Sequence, residues 1–241
     1  MLGFAVTMIL LYLLSRQVCL QIQSVIYLVT RSIDMATVGL FLVLLPGIFI
    51  HESAHWLMAR SLGLRTGKFR VWPKRQGKMI GMGQVTVERG GLWRDSLVGL
   101  APLLVGSVLV ALIGRHIFSA NQLTTLLYTG EINSSFRLLI SAMQTADSAL
   151  WAYLLFAVAN AMMPSASDRE PLIPLLLYLA LAVTVYIFLG MPLAPFSAAL
   201  DWLLPSLQNL TSGLLFTVLL DVIVLAILYL LIALFAPRRR R

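Results

Sequence analysis

The chain has 241 residues, of which 59% are hydrophobic and only 12% charged, with a formal net charge of +8. A mean hydropathy of +0.89 excludes an ordinary soluble domain and points to an all-α polytopic membrane protein whose first partner is the lipid bilayer. The cations cluster between apolar runs and at Arg238–Arg241, as positive-inside flanks do, so no nucleic-acid partner is expected.

The first apolar stretch, Leu2–Leu14, is too short to cross alone at about 1.5 Å per residue. It has no basic flank before it and no small-residue cleavage site after it, so it reads as an uncleaved span. One helix over about 2–30, with Arg16, Gln17, Gln21 and Gln23 as an inward polar stripe, is the preferred reading. A short buried helix plus an interfacial one is the alternative. Cys19 is the only cysteine; it excludes an internal disulfide and reads as a packing residue.

A second span covers about 36–62. Residues 60–94 then hold nine Lys/Arg against one Glu. Lys68–Trp72 and Met82–Glu88 alternate with near period two around a turn-like Pro73–Gly77, predicting a β-hairpin at about 66–90 on the cytoplasmic membrane surface. A third span is expected at about 96–114. Within the less hydrophobic stretch 115–147, Phe136–Met143 reads as an amphipathic helix. Spans four and five are expected at about 148–164 and 171–190, then a loop with Pro192, Pro195 and Pro205, and a sixth span at about 213–236. This divides the chain into an N-terminal membrane helix (1–35), a core (36–190), and an outer loop, last span and basic tail (191–241). The basic runs place both termini in the cytoplasm, and the cytoplasmic membrane of a prokaryote is the expected location. Trp93, Trp151 and Trp202 fall near span ends, as interfacial anchors do.

His51-Glu52-Ser53-Ala54-His55 lies inside the second span. Residues four apart share a helix face, with Cβ atoms about 5–6 Å apart. Two imidazoles so placed can share one Zn2+, and Glu52 on the same turn can act as general base. Polar side chains at membrane depth are costly, which makes this set a functional candidate. Catalytic zinc usually takes three protein ligands. His116, beside Arg115 at the other end of span three, is set aside as interfacial. Asp168 is the better third ligand: it follows Pro164, which breaks the helical ladder, and the charge-based topology puts it on the side of the two histidines. Its other reading is a cap for the helix starting near Pro171. Asp221, a lone carboxylate in the last span, is expected to face the bundle interior in an inter-helix hydrogen bond. Ser165 and Ser167 lack a paired base, which argues against a serine hydrolase.

With these residues in view, the chain resembles the site-2 protease family of intramembrane zinc metalloproteases, as a minimal or divergent member. The resemblance covers about 36–170 and rests on His51, Glu52 and His55, the basic β-prone segment, and Asn160, Pro164 and Asp168. The eight-residue offset from Asn160 to Asp168 matches the family pattern. Pro164 sits one place late, and Ser167-Asp168-Arg169 replaces Leu-Asp-Gly. The resemblance implies hydrolysis of peptide bonds in a transmembrane-helix protein substrate near the cytoplasmic face. It implies zinc on His51, His55 and Asp168, with Asn160 holding substrate or transition state. An edge of the hairpin is a candidate to take the substrate as an added strand; a surface cover is the other reading. The rival function is an inactive protease-fold scaffold or assembly subunit of a larger membrane complex. A zinc transporter ranks last, because the intramembrane ionisable residues concentrate on one side.

Overall fold

A computed structural model describes residues 2–76, 79–81, 84–144 and 147–235. It is mainly helical, with a small β segment. Five helices are long and apolar enough to cross a membrane: Leu2–Thr30, Ile33–Ser61, Leu92–His116, Ala166–Phe188 and Ala194–Phe235.

Helix α1 (Leu2–Thr30) is continuous. Its buried residues are Thr7, Leu11, Ser15, Val18 and Ile22, one stripe of three- and four-residue steps. The expected polar stripe does not turn inward as a unit: Arg16 and Gln17 are exposed, while Gln21 and Gln23 are half-buried. The hydroxyls of Thr7 and Ser15 take the buried positions instead, because a hydroxyl can bond a neighbouring carbonyl at little desolvation cost.

Helix α2 (Ile33–Ser61) starts at Ser32, whose hydroxyl accepts the Met35 N–H, and is followed by Gly63 at φ 73°. That left-handed position halts the helix just after the His51–His55 turn. The hairpin that follows is a nested pair of antiparallel ladders: β1 (Thr66–Arg70) with β4 (Gln84–Val87), and β2 (Lys74–Gln76) with β3 (Met79–Gly81). Lys74–Gln76 is therefore strand rather than turn. Gly77, Lys78, Met82 and the tail Arg238–Arg241 lie outside the described residues. The hairpin also does not rest on one end of the bundle. Phe69 meets Phe49 edge-to-face at 6.3 Å between ring centroids, and Trp72 meets Phe41 at 5.3 Å. It thus runs back along α2, its course marked by these two edge-to-face ring contacts. Lys68 and Arg70 ride with it, so the basic segment is spread along α2.

Helix α3 (Leu92–His116) leads into two short helices, α4 (Asn121–Tyr128) and α5 (Ile132–Met143). Helix α6 (Ser148–Ala161) has 14 residues. At about 21 Å it is shorter than a hydrocarbon core. Leu155 through Asn160 are all buried, so the second half of α6 is enclosed on every face. A single turn, α7 (Ala166–Arg169), precedes α8 (Leu172–Phe188). The expected proline loop at 191–212 is mostly helix: α9 runs from Ala194 to Phe235, with Pro205 inside it. Pro195 sits in its first turn, where the missing N–H costs nothing. Helix α8 and residues 194–211 bury no side chain against the chain, so their apolar surface faces outward.

Helices α2 and α6 cross closely because Gly47 has no Cβ; one there would overlap the Ala157 carbonyl oxygen. Gly47→Ala is expected to cost about 1–3 kcal/mol by forcing this crossing apart. A lower Tm in detergent, with an unchanged helical circular-dichroism signal at low temperature, would register it.

Candidate metal centre

The two histidines lie one turn apart on α2, ring centroids 4.8 Å apart and planes at 77°. Each ring is held by a backbone carbonyl from a different helix. His51 Nδ1 is 2.8 Å from Ala161 O, and His55 Nδ1 is 2.8 Å from Val98 O. A carbonyl can only accept, so both Nδ1 atoms carry the proton and donate. In the neutral rings that leaves two bare Nε2 atoms, and these face each other at 3.1 Å. Two protons cannot fit in that gap, and two lone pairs repel across it. A cation between them, either one shared proton or a metal ion, resolves the conflict.

Both carbonyls are free for a reason readable in the chain. Ala161 ends α6, where the last carbonyls have no helical donor. Val98 lies four residues before Pro102, which has no N–H to give it.

Asp168 completes the cluster. Its Oδ1 is 3.3 Å from His55 Nε2 and its Oδ2 is 3.6 Å from His51 Nε2. Oδ2 also accepts the Ser165 N–H at 2.7 Å, closing a capping box with the Ser165 hydroxyl on α7. The cap reading of Asp168 holds, though the turn it caps is α7 rather than the helix after Pro171, and the box turns the carboxylate towards both histidines. Gly99 lets α7 in, since a Cβ there would overlap the Asp168 carbonyl oxygen. The Ser96 hydroxyl fixes the same approach through Pro171 O at 2.8 Å.

The donor set fits a divalent metal. The candidate ligand atoms of His51, His55 and Asp168 lie within 4.8 Å of one another. Tetrahedral zinc with bonds of about 2.0 Å has ligand–ligand edges of about 3.3 Å, close to the shorter separations here. Metal-bound histidines usually donate their other ring N–H to a carbonyl, as both rings do here.

Glu52 is buried on the same turn, within electrostatic reach of both rings, Asp168 and the Val85 backbone amide. On β4, Glu88 N–H donates to Arg65 O, so the alternate residues Val85 and Val87 point away from β1. They line a cleft of about 640 Å3 that reaches His55 and Asp168 between β4, the start of α3 and the α7–α8 corner.

Asn160 is not brought to this cluster. Its Nδ2 donates to Phe156 O and to Asp221 Oδ1, both at 2.9 Å, deep between α6 and α9. Asp221 does make the expected inter-helix hydrogen bond. His116 is exposed at the far end of α3, about 27 Å along the axis from Val98. The residues that sequence reasoning missed are Val98 and Ala161; Pro102, four places after Val98, was the available signal.

No family model, curated protein or solved structure matches this chain.

Gly99→Ala should displace α7 and weaken zinc binding by about 10-fold or more, the usual cost of disturbing a ligand's support. Competition with a zinc-sensitive chelator reads this directly; wild-type affinity would mean that the α3–α7 contact does not set Asp168.

Proposed function

We propose that this chain is a zinc-dependent endopeptidase of the site-2 protease type, cutting membrane-spanning protein substrates near the cytoplasmic face. The observation that carries the reading is the pair of bare Nε2 atoms 3.1 Å apart, each ring locked by a carbonyl, with Asp168 facing both. A buried glutamate beside them is the second requirement of the chemistry, and a purely structural metal site has no use for it.

His51, His55 and Asp168 would hold the ion. When bound, zinc supplies Lewis acidity, polarising a carbonyl and lowering the pKa of a water towards about 7. Glu52 takes a proton from the attacking water as its oxygen bonds the carbonyl carbon. It then returns that proton to the amide nitrogen as the C–N bond breaks. The Val85 amide lies within reach of Glu52 on the open edge of β4, at the wall of the cleft. An unwound substrate segment would pair there as an added strand, its carbonyl accepting from Val85. This reading gives the hairpin a substrate-aligning role.

A multi-pass location in a prokaryotic cytoplasmic membrane, with both termini inside, belongs to the same proposal. It rests on five apolar helices of crossing length and on the cations of residues 60–94.

Purified protein should contain about one zinc per chain. Glu52→Gln should keep the zinc and lose cleavage of transmembrane-segment peptides in proteoliposomes by at least about 100-fold. Asp168→Ala should lose the metal itself. A wild type that binds no zinc overturns the proposal. Zinc-loaded wild type and Glu52→Gln that are equally inert across a broad peptide panel would favour the scaffold reading instead.

A further inference from the structure

A second buried polar group lies behind the metal centre. Asp221 on α9 is 0% exposed and Asn160 on α6 is 6% exposed. They share one hydrogen bond, Asn160 Nδ2 to Asp221 Oδ1 at 2.9 Å. The remaining oxygen of each, Asn160 Oδ1 and Asp221 Oδ2, is fully buried and has no partner. Flipping the amide would not help, because Nδ2 already serves two acceptors, Asp221 and the Phe156 carbonyl.

Among the described residues, no cation is placed to neutralise Asp221. Helix α9 packs on α1, α3, α4 and α6. Helices α4, α6 and α9 contain no Lys, Arg or His. Helix α1 has only Arg16, which is exposed and lies over the Tyr12 ring. Helix α3 carries its cations, Arg94, Arg115 and His116, at its two ends. The titratable group nearest in kind is Cys19, within electrostatic reach from α1. A buried carboxylate without a counter-ion is far costlier than a neutral acid.

One proton removes every conflict at once. Placed on Asp221 Oδ2, it can be donated to Asn160 Oδ1, closing a ring of two hydrogen bonds between acid and amide and satisfying both orphan oxygens. The same ring fixes the end of α6. Three helices tether its last two residues: the Ser15 hydroxyl of α1 donates to Asn160 O at 3.2 Å, α9 holds the Asn160 side chain, and His51 of α2 donates to Ala161 O at 2.8 Å.

We propose that Asp221 is a protonated carboxylic acid paired with the Asn160 amide, and that this pair is a positioning element that holds the Ala161 carbonyl against His51. The second half rests on the zinc reading above; the first half does not.

The test is infrared difference spectroscopy on the full chain in lipid at neutral pH, wild type against Asp221→Asn, with 13C-labelled aspartate. A carboxylic-acid carbonyl band that shifts with the label and vanishes in Asp221→Asn is expected; a spectrum without that band overturns the acid assignment. Zinc affinity is the second reading. Asp221→Asn can make both hydrogen bonds of the ring and should bind zinc within about twofold of wild type, whereas Asp221→Leu should bind about 10-fold more weakly. Wild-type affinity in Asp221→Leu, or equal loss in both variants, overturns the positioning role. Should Asp221→Leu not fold, the band and the Asp221→Asn affinity still decide. Absence of zinc from the wild type would count against the proposed function, while the band would still decide the acid–amide pair.

Discussion

Two imidazole nitrogens, stripped of their protons by the carbonyls behind them and held 3.1 Å apart, are the constraint around which this molecule is arranged. Neither ring can relieve the repulsion by turning, because each Nδ1 would abandon a buried acceptor and leave it unpaired. The site is thus built as a deficit of positive charge, with Asp168 adding to it. Two carbonyls, one from a helix end and one beside a proline, create that deficit at no cost to any helix, since neither had a backbone donor to lose.

The fold serves this arrangement by bringing helix ends, rather than helix middles, to the centre. Helix α6 stops short of a full crossing, and its terminal carbonyl meets α2. Helix α7 is a single turn whose capping box aims Asp168. Both depend on Pro164, which keeps the chain between α6 and α7 from continuing as a helix. The close approaches are made by residues without a side chain: Gly47 against α6 and Gly99 against α7. A membrane helix bundle gains little from hydrophobic burial between its rods, so packing of this kind and a few polar tethers carry much of the specificity. Ser15, Ser96 and Asn160 are those tethers, and each links a different pair of helices.

The hairpin brings a second kind of structure to the same place. Its aromatic residues lay it along α2, and the bulge between Thr66 and Phe69 leaves β4 regular. The outward amide of Val85 then meets Glu52.

Much of this was legible in the residues alone. A four-residue spacing on a helix puts His51 and His55 on one face whatever surrounds them, because the helical period is set by backbone geometry. The mainly helical architecture with apolar rods of crossing length follows from composition, and the pairing of residues 66–70 with 84–87 follows from their alternation. Asp168 was identifiable as a partner only in company with the need for a third ligand. The hydrogen bond of Asn160 was not legible, since local sequence cannot say that Asp221, some sixty residues on, accepts from its amide. The depth of the hairpin, the shortness of α6 and the helical run through Pro205 were likewise decided by packing. Sequence by itself determined which groups could bind a metal and how two of them are spaced; tertiary structure decided which carbonyls orient them and which carboxylate arrives, because the carbonyl contacts join residues 43 and 110 positions apart, the carboxylate comes from as far along the chain, and no local preference encodes such distances.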